Sequence, residues 1–150
     1  MVNFCYTWEN FTKKGGGAMQ YSRESQEMLR RSAQKARQLG HSYVGSVHLL
    51  MAMIGQRGIV GYLLNSFGVQ EEMTNHMVRI LYGGGKRDMP LCQGFTRHAS
   101  AILRDAVKEA KSAGSKTVEP VHIFLSMLRT DTAASASIMR IYGIESQYLF

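Results

Sequence analysis

Residues 46–54 read SVHLLMAMI, and residues 120–128 read PVHIFLSML. A histidine stands third in each apolar run, and His122 follows His48 by 74 positions. The two stretches decide the fold, because the match extends outward from both. Gly40 pairs with Gly114, Val44 with Val118, Ser46 with Pro120 and Met53 with Met127 at the same spacing. Beyond them the offset becomes 75, and Leu63, Leu64, Phe67, Gly68 and Val69 align with Ile138, Met139, Tyr142, Gly143 and Ile144. Turn glycines, caps and apolar positions repeat together, so the chain is read as one helical unit written twice.

Each copy carries helix signals in the same order. Ser22 and Thr96 have hydroxyls suited to cap a helix start. Met28, Leu29, Ala33, Ala36 and Leu39 recur at helical spacing, as do Ala99, Ile102, Leu103, Ala106, Val107 and Ala110. Gly40 and Gly114 suit the left-handed position that ends a helix. Ser46 is expected to cap the second helix, and Pro120 fits a first turn, where its missing N–H costs nothing. A third helix is expected over about 59–67, ending at Gly68. A fourth, over about 70–82, carries Met73, Met77, Ile80 and Leu81 as an expected core stripe. Most of the methionines are expected in the core, with an adaptable groove between the two lobes as the functional alternative.

The expected organisation is a flexible leader over 1–20, a first repeat over 21–82, a glycine-rich linker over 83–94 and a second repeat over 95–150. The second repeat is expected to be shortened, because few residues follow Gly143. The fold class is all-α, a pseudo-two-fold duplicated four-helix repeat.

Composition excludes several functions. No apolar stretch reaches the roughly 18 residues that span a bilayer, and the start has no signal-peptide pattern. Cys5 and Cys92 share no motif, which suits a reduced, cytoplasmic setting. His41, His48, His76, His98 and His122 show no metal-site spacing, and no Cys or Ser stands in a triad pattern, so neither metal, cofactor nor catalytic residue is expected. Gly83-Gly84-Gly85-Lys86-Arg87 follows a helix and lacks phosphate-loop spacing, so it reads as a hinge. His48 and His122 are expected to be structural, each imidazole donating to the preceding loop. The net charge of +7 (18 Lys+Arg against 11 Asp+Glu) admits nucleic acid as an alternative partner. The cations are scattered, however, and no helix carries Arg, Asn and Gln along one exposed face.

The segments Tyr21-Ser22-Arg23, Leu39-Gly40-His41-Ser42-Tyr43-Val44-Gly45 and Val47-His48-Leu49-Leu50, with the echo at TVEPVHIFLSML, resemble the amino-terminal repeat domain of the Clp unfoldases, the ClpA, ClpB and ClpC group of AAA+ ATPases. The resemblance covers about residues 20–149 and is nearest the ClpC type. It implies a non-catalytic recruiting module ahead of an ATP-driven ring and its peptidase. Such a module docks adaptor proteins or unfolded or tagged polypeptides; a freestanding adaptor-like protein is the alternative. The implied partner surface comprises Tyr21, Ser22, Arg23, Phe95, Thr96 and Arg97. In the ClpC branch a glutamate precedes the repeat histidine and helps read arginine-phosphate. Val47 and Val121 stand there instead, which argues against that ligand.

Overall fold

The computed structural model describes residues 19–85 and 94–145. Residues 1–18 of the expected leader over 1–20, both cysteines, Lys86, Arg87 and the last five residues lie outside them. Among the described residues are seven helices: α1 (Arg23–Gln38), α2 (Ser46–Met53), α3 (Ile59–Ser66), α4 (Glu71–Tyr82), α5 (Arg97–Ser112), α6 (Pro120–Leu128) and α7 (Ala134–Ile141). Two short strands, β1 (Gln20–Tyr21) and β2 (Thr117–Val118), complete the inventory.

Local chemistry explains the helix ends. Ser22 Oγ accepts the Ser25 N–H at 3.1 Å, and Thr96 Oγ1 accepts the Ala99 N–H at 3.2 Å, so α1 and α5 start on equivalent caps. Both helices stop alike. Gly40 and Gly114 have φ of 73° and 70°. Around them the N–H of His41 reaches Ala36 O and that of Ser115 reaches Ala110 O, which satisfies carbonyls the helix leaves open. The same closure recurs at Gly68 and Gly143, after α3 and α7.

The expected cap of α2 is corrected. Gly45 holds the cap position and Ser46 is the first helical residue. The Ser46 hydroxyl instead accepts the Ser135 N–H at 3.0 Å, tying α2 to the start of α7.

That tie belongs to a general exchange between the copies. Gln20 and Tyr21 pair in parallel with Thr117 and Val118. Phe95, equivalent to Tyr21, bridges Val44, equivalent to Val118. Ser22 N–H donates to Val118 O at 3.0 Å, and Thr96 N–H to Val44 O at 2.9 Å. The helices cross over too: α7 packs on α2, and α3 on α6. The core is therefore shared. Met28, Leu29, Leu49, Leu50, Met51 and Met53 from one copy and Ile102, Leu103, Ile123, Phe124 and Met127 from the other are all buried in one cluster.

The expected stripe on α4 is also corrected. Thr74 and Val78 are its buried residues, whereas Met73, Ile80 and Leu81 are exposed. The helix meets the body along one edge. Thr74 Oγ1 lies 2.9 Å from the Tyr142 hydroxyl, Tyr82 donates to Ala134 O, and Lys35 pairs with Glu71. The outer half of the apolar arc faces water.

Candidate functional site

Two clefts lie where the copies meet, and the internal repeat relates them. Cleft A, about 290 Å³, is walled by the start of α6 (Glu119, Pro120, Val121), by Glu24 on α1, and by Gln56, Arg57, Ile59 and Val60. Cleft B, about 460 Å³, is walled by the start of α2 (Gly45, Ser46, Val47), by Thr96 and His98 at the start of α5, and by Ala134. His41, Tyr43, His48 and Tyr82 complete it. The clefts differ in charge. Glu24 and Glu119 line cleft A, while among the described residues no carboxylate lines cleft B.

The residues of the implied partner surface separate in space. Tyr21 belongs to the core: its hydroxyl donates to Leu103 O at 2.5 Å, and burial pushes its pKa up. Ser22 is buried as the α1 cap, and Phe95 is half-buried against Val44. Arg23 and Arg97 are exposed; Thr96 lines cleft B, and Arg23 lines a neighbouring hollow with Glu27 and Arg57. Val47 and Val121 face clefts B and A respectively. Gly40 and Gly114 hold the helix ends described above.

His48 and His122 tie loop to helix, with their roles reversed from expectation. Gly45 N–H donates to His48 Nδ1 at 2.8 Å, and Glu119 N–H donates to His122 Nδ1 at 2.9 Å. Each imidazole is an acceptor for the N–H that precedes its helix, as a glutamate is in a capping box. Burial, and secondarily His41, push the His48 pKa down to about 3. Its Nε2 lies 2.8 Å from His41 Nδ1, and His41 Nε2 lies 2.8 Å from Gly83 O. Spacing alone gave no signal for this chain of contacts, because a loop folds His41 back onto the helix.

The expected methionine groove is not formed by Met51, Met53, Met127 or Met139, which are all buried. A different apolar surface is open. On one side of the molecule α4 covers α2 and α7, where Met51 and Ile138 are buried. On the repeat-related side, among the described residues, no helix covers α3 and α6. There Leu63 and Leu125 are half-buried, while Ile59 and Tyr62 are 68% and 75% exposed. Ile59 also walls cleft A, so cleft and open face are continuous. Among the described residues no group of three or more His, Cys, Asp or Glu could hold a metal ion, and no helix is long and apolar enough to cross a membrane.

Residues 20–140 match the Clp repeat (R) N-terminal domain. The chloroplast chaperone protein ClpC2 of Arabidopsis thaliana is 25% identical over 126 residues, which is 83% of this chain and 13% of that relative. The chain thus spans about an eighth of the curated relative's length. The N-terminal domain of ClpD from the same plant superimposes with a TM-score of 0.70 at 17% identity, covering 86% of this chain and 88% of that one. A ClpV N-domain solved in complex with a VipB peptide gives 0.65 at 15% identity, covering 82% and 77%.

Proposed function

The chain belongs to the Clp repeat N-terminal domain family, and from that membership we propose that it is a non-catalytic recruiting domain of a Clp-type ATPase, binding a polypeptide segment of an adaptor or substrate. The observation that carries this reading is the open apolar face of α3 and α6 running into cleft A. A contiguous apolar surface bordered by charged side chains is the usual mark of a protein-binding site. The adjoining Glu24, Arg57 and Glu119 supply polar groups that fix orientation. A neighbour of the same fold holding a peptide supports the same reading. The motor and peptidase with which such a domain works lie outside these 150 residues on this reading, and a cytoplasmic setting belongs to the same proposal.

The test uses fluorescently labelled, reduced and carboxymethylated α-lactalbumin as a permanently unfolded probe. Binding by anisotropy is expected with the native chain. The double change Ile59→Glu and Tyr62→Lys should weaken it at least tenfold with an unaltered helical spectrum, since both side chains are exposed. Equal binding by the variant would move the site elsewhere, and no binding by the native chain would sink unfolded polypeptide as the ligand. Free phosphoarginine should give no heat in calorimetry, because valine at 47 and 121 offers no acceptor to a guanidinium.

A further inference from the structure

We propose that the outer face of α4 is a self-pairing surface, on which a second molecule of this chain lays its own α4 antiparallel across a two-fold axis near His76. Thr74 and Val78 turn inward, and Glu71 is held by Lys35. The side of the helix opposite them runs through Met73, His76 and Ile80, at the three- and four-residue steps of a single helical seam. Met73 and Ile80 are 51% and 68% exposed. As far as Gly85, the chain leaving the helix turns away from this seam: Gly85 N–H donates to Leu39 O at the end of α1.

The flanks of the seam say what fits it. Met77 and Leu81 lie along one flank, and Glu72 and Arg79 along the other. Glu72 and Arg79 are seven residues apart, as are Met73 and Ile80, so both pairs span two turns centred at His76. In an antiparallel helix pair each flank meets the same flank of the other molecule. Met73 then faces the partner's Ile80, Glu72 meets the partner's Arg79, and Arg79 meets the partner's Glu72. One face thus carries both halves of its own charge complement, as a two-fold interface requires. A parallel pair sets the charged flank against Met77 and Leu81 and wastes both charges. A polar side chain in the middle of such a seam, here His76, fixes register at a cost in affinity. The contact is one helix of 12 residues, about 18 Å long, which is short of a standard interface, so the dimer is weak. This face is separate from that of α3 and α6, and the proposal stands apart from the polypeptide-binding reading.

Sedimentation equilibrium of the full chain at low salt, up to millimolar concentration, tests it. The native chain should show a reversible monomer–dimer equilibrium. Ile80→Glu should weaken the dimer at least tenfold with an unaltered helical spectrum, because the side chain is exposed. The double change Ile59→Glu and Tyr62→Lys should leave the dimer as it is. Glu72→Arg and Arg79→Glu should each weaken self-association several-fold, since each sets two like-charge pairs across the axis. An equimolar mixture of those two variants should pair as tightly as the native chain, and so should a chain carrying both changes. A native chain that stays monomeric, or a dimer indifferent to Ile80→Glu, would overturn the surface. So would a dimer lost in the Ile59 and Tyr62 variant, which would place the contact on the α3–α6 face. Failure of the mixed variants to pair would refute the antiparallel arrangement.

Discussion

At His48 and His122 the same ring atom takes the same kind of N–H, three residues back along the chain. Position and burial of these side chains were legible in the sequence, since the titratable ring recurs inside apolar runs. The direction of the bond was not, because period says which face a residue occupies and nothing about which partner has a free proton. His122→Ala should cost about 2 kcal/mol in urea unfolding: about 1 for the orphaned N–H and the rest for the space left by the ring. His48 adds a pH dependence. Its folded pKa of about 3 lies below its ordinary 6.5, so its contribution is whole above pH 6.5 and is lost as pH falls toward 3. The slope is at most about 1.4 kcal/mol per pH unit. Urea midpoints of the native chain should fall over that range faster than those of His48→Gln; parallel curves would contradict the assignment.

Among the elements, helix ends were the most readable. Ser22, Thr96, Gly40, Gly114, Gly68 and Gly143 stand at turns whose backbone demands those residue types, and such demands are local. Helix starts governed by tertiary contact were harder: Ser46 looked like a cap, yet its hydroxyl is taken by the Ser135 N–H from the other copy. The outer face of α4 was misjudged for a related reason. Periodicity identified its apolar arc over Met73, Met77, Ile80 and Leu81, but only packing decides how much of an arc is covered. Two substitutions separate these cases. Thr96→Ala should cost about 1 kcal/mol of thermal stability through a lost cap. Gly61→Ala should cost at least about 2 kcal/mol, because an added Cβ would fall 1.7 Å from Gln56 O, and backbone must move to admit it. A melting temperature unchanged by Gly61→Ala would show that α3 can shift freely against the preceding turn.

For the molecule as a whole, duplication was visible in the spacing of the two histidine-bearing runs, but the exchange of strands and helices between copies was not. Nothing in either copy marks Tyr21 as the partner of Val118 instead of Val44, because both valines stand four residues before a repeat histidine. The open face of α3 and α6 was equally hidden, since it arises where one copy has a fourth helix among the described residues and the other does not. The shared core predicts that a fragment of residues 19–85 will not fold alone. It lacks the partners of Tyr21 and Val44 and the helices that cover α2 and α3. Circular dichroism of that fragment should show little helix and no cooperative melting, and a sharp transition would mean that each copy is self-sufficient.

A ribosome delivers this chain in an order the finished architecture does not respect. Val118 leaves the exit tunnel 33 residues after Gly85, a delay of about 2–7 s at ordinary elongation rates. Throughout that interval the nascent first copy displays raw strand edge and bare apolar flank. Translation speed across residues 86–118 therefore governs how long the newborn protein needs shelter from aggregation.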